Sequence, residues 1–349
     1  MATATASRSL RSGTKRPRSN SIMSPSTSGS SAIKVQAPRI DAPFSSAPQQ
    51  TPHDSPNKAK KLKLHSSFVA ESPYPNFGRP TPEEALEVFN LLSNAHPEGK
   101  GTFRRKPPSE SNNAAKTCAS VPNVIEALID TILSQNTSAK NSSRAKLSLD
   151  DAFGRNNFAA IASAPRDDVI EAIRSGGLAN KKAATIQNVL HAIKARHGEY
   201  SLQHLAALTE DEDGHGHGTT KRMADEEIMK ELISYDGVGP KTASCVLLFC
   251  LGRDSFAVDT HVFRLSKLLG WVPSKADRVL AQAHLDLKIP NELKYGLHVL
   301  MIQHGRICRG CKKPDSAGDC VLKTYIKERK LRITPHEDVD KVDSIKMEG

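Results

Sequence analysis

The chain has 349 residues, with 49 Lys and Arg against 38 Asp and Glu for a formal charge of +11, and 38% of its residues are apolar. That length accommodates one or two domains with a core of useful size. Six cysteines are too sparse for the framework of a small disulfide-rich scaffold, and no uninterrupted apolar run reaches the roughly 18 residues of a membrane span. These features predict a soluble, intracellular protein with no membrane partner.

The opening stretch, MATATASRSLRSGTKRPRSN, has no apolar block behind its basic residues and does not read as a secretory signal. Residues 1–65 hold 13 Ser and 7 Pro but a single aromatic, Phe44, too little apolar surface to offset the entropy of ordering, so a disordered tail is expected there. Eleven Lys or Arg against Asp41 and Asp54 concentrate +9 of the charge in this tail. The clusters Lys15-Arg16-Pro17-Arg18 and Lys58-Ala59-Lys60-Lys61-Leu62-Lys63 have the form of nuclear-import or polyanion-binding patches, which predicts a nuclear protein with the mitochondrion as the alternative.

Near residue 81 the pattern changes. Thr81 can cap a helix, Pro82 suits its first turn and Glu84 completes a capping box before Ala85, Val88, Phe89 and Leu92, so a helix is predicted to about Ala95. Residues 97–119 are polar and breaker-rich and read as a connection. Pro122 then opens a stripe of Val124, Ile125, Leu128, Ile129, Ile132 and Leu133 at helical spacing, ending near Ser134-Gln135-Asn136-Thr137. The same period recurs in 141–153, 166–174, 181–196 and 202–208, and no segment alternates like a strand. The expected body is therefore all-α, built of short helices. Residues 209–224 interrupt it without an apolar face. Their His215 and His217 lack a nearby third ligand, so the stretch reads as an exposed loop insertion.

Residues 225–251, DEEIMKELISYDGVGPKTASCVLLFCL, carry the most information. Ile228, Met229, Leu232 and Ile233 form one helical face, Gly237-Val238-Gly239 breaks it, and Pro240 starts a second helix with Ala243, Val246, Leu247 and Cys250. Two glycines permit positive backbone angles and a close approach to a ligand, and the free N–H groups of the following helix suit a phosphate, gripped without regard to base sequence. Gly237 and Gly239 could equally just end one helix and begin the next. Lys241 lies in the first turn of that second helix: a salt-bridging surface lysine is the ordinary reading, yet the helix dipole disfavours a cation there and partial burial would do so further, so it could act as an amine nucleophile. Eighteen residues on, Asp259 precedes Val262, Leu265, Leu268 and Leu269, so its carboxylate can cap the next helix and stay ionised.

The block YDGVGPKTASCVLLFCLGRDSFAVDTHVFRL closely resembles the helix-hairpin-helix DNA glycosylase superfamily, in its endonuclease III branch. The likeness runs from about residue 120 to 325 and weakly back to 80. It implies a two-lobed all-α fold: a basic tail over 1–80, an N-terminal helix and linker over 81–120 packing with the C-terminal lobe, a helical domain over 121–256 with the hairpin and the 209–224 loop, the rest of the second lobe over 257–330, and a polar tail over 331–349. It implies Lys241 as a Schiff-base lysine and Asp259 as the essential aspartate. It further implies Gln135, in LSQNT, as the residue entering the space of a flipped base, and Leu178, in GGLANKKA, as an apolar wedge. Gly237, Val238, Gly239 and Thr242 would contact DNA. The implied partner is double-stranded DNA with a damaged base or abasic site, bound by a monomer. The implied activity is removal of a damaged base, an oxidised pyrimidine by the likeness alone, with β-lyase cleavage. The alternatives are a monofunctional glycosylase for a mismatched or other base, and an inactive DNA-binding protein.

Relatives of that branch carry a [4Fe-4S] cluster on four cysteines spaced C-x6-C-x2-C-x5-C. Here HGRICRGCKKPDSAGDCVLKTYIK supplies only Cys308, Cys311 and Cys320. Three thiolates do not complete a four-iron cluster. His304, four residues before Cys308, makes a Cys3His zinc set the competing idea, and unligated cysteines are the expected state. Cys245 and Cys250 fall within an apolar helix, where burial as small hydrophobes accounts for them.

Overall fold

In the computed structural model the described residues are 63, 67–97, 108–109, 120–212, 218–312 and 318–332. The disorder expected over 1–65, the two basic clusters apart from Lys63, His215, His217 and residues 333–349 of the polar tail lie outside them, while Leu331 and Arg332 belong to the last helix. Twelve α-helices, two 3-10 turns, one π-helical turn and one ribbon are found among the described residues.

Helix α1 (Pro82–Ala95) forms as its sequence predicts: the Thr81 side chain accepts from the Glu84 N–H and the Glu84 carboxylate accepts from the Thr81 N–H. The chain is also ordered just before it, where 1–80 reads as a tail. His284 clamps this segment through both ring nitrogens, with Ser72 Oγ at 2.7 Å from Nδ1 and the Arg79 carbonyl 2.6 Å from Nε2. The Tyr74 and Phe77 rings of the segment also meet His284 edge-on, so a histidine far along the chain supplies this order.

The first lobe comprises α2 (Val124–Leu133), α3 (Ala139–Phe153), α4 (Phe158–Ser163), α5 (Arg166–Ala172), α6 (Ala179–His197), α7 (Asp225–Ile233) and α8 (Pro240–Cys245). All ten residues of α2 are buried. Its apolar positions join Leu149, Ile186, Leu190, Ile228, Leu232, Val246 and Leu247 in one cluster. The predicted helix over 202–208 is only a 3-10 turn, Gln203–Leu205. The Gln203 side chain explains the early stop: its amide is tied to the Val124 N–H and the Pro122 carbonyl, at 2.8 and 3.0 Å. The 209–224 interruption is not a bare loop, because β1 (Leu208–Glu212) and β2 (Gly218–Arg222) pair antiparallel with Leu208 opposite Arg222. The sequences of the two strands, LTEDE and GTTKR, have no apolar alternation that would have signalled them.

The second lobe holds α1, α9 (Thr260–Leu269), α10 (Arg278–Lys288), α11 (Asn291–Ile307) and α12 (Val321–Arg332). Val88 and Leu92 of α1 pack with Val262, Leu265, Trp271, Leu297 and Leu300 in a separate cluster. The first helix of the described chain is thus joined with the last helices in one core while the segments between them form the other. Glu84 is buried between Arg79 and Arg329, which closes α12 over α1. No helix among the described residues is long and apolar enough to cross a membrane.

Candidate active site

Lys241 and Asp259 belong to different lobes, the charges of both reach Cys245 and His298, and two devices fix the segments that carry them. The first is the helix after the hairpin. It runs as α8 and then widens into a π-helical turn, Val246–Cys250, with the Leu251 N–H bonded to the Val246 carbonyl at 3.0 Å. The widening lets Val246, Leu247 and Leu248 be buried in succession, while the Phe249 ring meets Tyr295 and His298 of α11 edge-on. The second is the extended segment leading to Asp259, whose backbone has no sheet partner and is satisfied by side chains. The Phe256 N–H donates to Asp286 at 2.6 Å, the Val258 N–H to Gln282 at 3.2 Å, and the Ala257 and Asp254 carbonyls accept from His298 at 2.8 Å and Lys294 at 3.0 Å.

Asp259 is the N-cap of α9. Its Oδ1 accepts from the His261 and Val262 N–H groups, both at 2.8 Å, and Oδ2 takes no donor among the described residues. The capping role and a chemical role therefore use different oxygens. Lys241 stands one turn before Cys245, and the charges of both Lys241 and Asp259 act on buried Cys245 and buried His298. Burial pushes the His298 imidazole down to about 4, so it is neutral and donates Nδ1–H to the Ala257 carbonyl. Burial likewise raises the Cys245 thiol.

The sequence reading passed over Asp130. It lies on α2 off the apolar stripe but buried all the same, and burial raises its carboxyl to about 7 against the opposing fields of Lys146 and Lys241. Glu126, one turn earlier, is 1% exposed and paired with Arg155 at 3.0 Å and Lys146 at 3.4 Å, and Lys146 in turn holds Asp150 at 2.6 Å. Two acids four apart inside an otherwise apolar helix were the available signal.

In the hairpin, Gly237 has φ +83, and a Cβ there would lie 2.5 Å from Thr185 Cγ2. Gly239 differs from the sequence expectation: its φ is −110, an ordinary extended value, with open space where a Cβ would go. The Val238 N–H is spent inside the turn on the Tyr235 carbonyl at 3.1 Å, and its side chain is buried. Val238 therefore anchors the hairpin by packing rather than offering a donor. The N–H groups of Gly237 and Gly239 have no acceptor among the described residues.

Gln135 and Leu178 come from the first lobe. Gln135 follows α2 and its Nε2 donates to Thr242 Oγ1 at 3.2 Å, which places it beside the first turn of α8 and uses Thr242, itself buried, as its prop. Leu178 stands just before α6 with φ 52 in the left-handed region and 55% exposure. That conformation costs a leucine about 1–2 kcal/mol, and water contact wastes its apolar surface. Lys182, 3% exposed, links the two loops: its ammonium donates to the Leu133 carbonyl at 2.7 Å and the Gly176 carbonyl at 2.8 Å. Its role escaped the sequence reading because a lysine at a helix start ordinarily faces water.

At the end of α11, the ligand atoms of His304, Cys308, Cys311 and Cys320 all lie within 4.8 Å of one another. A four-iron cluster gives each iron its own thiolate at an outer corner, which spreads the ligands around a bulky cube. Three cysteines and an imidazole drawn this tightly together do not fit it.

A two-lobed helical body with a helix-hairpin-helix in one lobe and a capped carboxylate in the other defines a class, and the comparisons name it. The HhH-GPD superfamily of base excision DNA repair proteins matches residues 129–290. A candidate DNA glycosylase of Arabidopsis thaliana is 38% identical over 284 residues, covering 74% of this chain and 91% of the relative. Endonuclease III of Sulfolobus acidocaldarius is 30% identical over 210 residues, 60% of this chain and 84% of the relative. An endonuclease III solved in a non-covalent complex with DNA shares the fold, with a TM-score of 0.50 and 24% identity over 72% of this chain and 99% of that one. The chain belongs to the HhH-GPD superfamily, in its endonuclease III-like branch, and so to a family of glycosylase and AP-lyase type.

Proposed function

We propose that this chain is a nuclear, monomeric DNA glycosylase with abasic-site lyase activity, which flips a damaged base, an oxidised pyrimidine, out of duplex DNA and removes it through Lys241 and Asp259. The observation that carries this reading is the placement of an amine on the hairpin helix of one lobe and a carboxylate with a spare oxygen on the other, both acting on Cys245 and His298.

Extrusion of a base costs a few kcal/mol, less where damage has weakened pairing or stacking. Exposed Leu178 would wedge the stack and Gln135 would fill the vacated space, while the open N–H groups of Gly237 and Gly239 would hold a backbone phosphate. Lys241 Nζ attacks C1′ and the N-glycosidic bond breaks. Its electron pair leaves with the base, which takes up a proton, and Asp259 stabilises the positive charge at the sugar. The sugar ring opens to an imine. Loss of a 2′ proton then expels the 3′ phosphate and nicks the strand.

Borohydride reduction on an abasic-site duplex tests this. Wild type should form a covalent complex and Lys241→Ala should form none. Equal trapping by both would move the nucleophile elsewhere. Base release from a lesion duplex without trapping would make the chain monofunctional, and neither activity would make it a DNA-binding protein. Duplexes carrying thymine glycol, a G·T mismatch or a modified adenine identify the base, and excision confined to the last two would overturn the oxidised-pyrimidine assignment.

A further inference from the structure

We propose that His304, Cys308, Cys311 and Cys320 bind a single zinc ion in a closed structural site, in place of the four-iron cluster that the branch resemblance implies. Bond lengths of about 2.3 Å to sulfur and 2.0–2.1 Å to nitrogen put the ligand atoms of a zinc tetrahedron about 3.5–3.8 Å apart. The His304 Nε2 to Cys320 Sγ separation is 3.5 Å, and all four ligand atoms fall within 4.8 Å. Small side-chain rotations reach the tetrahedron.

The surroundings are those of a built site. A metal-ligating imidazole needs its other nitrogen fixed. His304 Nδ1 is 3.0 Å from His96 Nε2, buried beside it just past α1. With Nε2 on the ion, Nδ1–H donates to His96. The backbone is shaped as well: a Cβ on Gly310 would lie 2.6 Å from the Gly318 carbonyl and 3.0 Å from Cys320 Cβ, so only glycine lets the Cys308–Cys311 turn close onto the segment bearing Cys320. Three thiolates and a dipositive ion leave one net negative charge, and the positive field of Arg264 reaches both His304 and Cys311. Arg264 donates to the Gly305 carbonyl at 2.8 Å, and its Nε is buried without a hydrogen-bond partner among the described residues. Soft thiolates with one imidazole, and no position left for water, select zinc among the common divalent ions. The ion would join the end of α11 to the start of α12 and, through His96, to α1.

Metal analysis of the full-length protein should give about one zinc per chain and no iron. Exchange with cobalt(II) should produce the visible bands of a tetrahedral thiolate site. Cys320→Ser and His304→Gln should lose the ion, and Cys250→Ser should keep it. Should the ligand variants fail to fold, alkylation of the half-exposed Cys308 in wild type decides: it should be slow until a chelator is added. Four irons per chain with a brown colour would overturn the proposal. So would zinc that survives Cys320→Ser, or a protein that takes up neither zinc nor cobalt.

Discussion

Asp130 must lose a proton in a place that water does not reach. Its carboxyl titrates near 7 in the folded chain and near 3.8 when unfolded. Between those values the folded state holds a proton that the unfolded state has released, so stability falls as pH rises through that window. Asp130→Asn should flatten the fall, removing a difference on the order of 1–3 kcal/mol between pH 4 and pH 7. Urea unfolding of both proteins across that range checks this, and parallel curves would show that the aspartate does not titrate as its burial requires. The sequence hid this residue for a reason its neighbour shares. Glu126 and Asp130 look like ordinary helix acids until α3 covers them, and only then do Lys146 and Arg155 become compulsory partners. Lys241 and Asp259 were legible because a lysine behind a glycine hairpin and an aspartate before an apolar stripe are marked by their local setting.

At the scale of the hairpin, the two glycines should separate cleanly. Gly237→Ala forces a Cβ into Thr185 at a positive φ, and should cost about 2 kcal/mol or more of stability along with DNA affinity. Gly239→Ala meets open space at an ordinary φ, so its melting temperature should stay within about 2 °C of wild type while binding to an abasic duplex weakens. Thermal melts and fluorescence anisotropy on both variants measure the two effects. If Gly239→Ala binds DNA as wild type does, no phosphate approaches that position closely. Helices and the hairpin were readable from apolar spacing and breakers. The Val246–Cys250 π turn was not, since the same residues satisfy an α-helical period, and it is the demand of two lobes on one helix that widens it.

Across the whole molecule, buried neutral histidines set the acid limit. His284 joins α10 to the segment before α1 and His298 joins α11 to the segment before Asp259. Burial lowers both, His298 to about 4 from the ordinary 6.5. Their stabilisation is present above about pH 6.5 and is lost as pH falls toward the folded-state values, because the unfolded chain takes up protons first. The wild-type acid profile should therefore combine this loss with the opposite slope from Asp130. His298→Gln, which keeps a donor for Ala257, should reduce the acid loss by a few kcal/mol at most. Unfolding midpoints from pH 7 to pH 4 would show it, and an unchanged slope would mean that His298 does not enter acid unfolding.

What the sequence determined by itself was whatever is written in local spacing: the all-α class, the capped start of α1, the hairpin, the lysine and aspartate eighteen residues apart, and a cysteine set one short of four. These follow from backbone geometry over a few residues, which recurs wherever the same pattern does. The tertiary structure alone decided which polar groups lose water and what replaces it: Lys182 drawn under two loops, His284 ordering a segment more than two hundred residues away, and His96 set behind His304. Desolvation and the partners that offset it depend on chain brought in from far along the sequence, and no local pattern records which segment that will be.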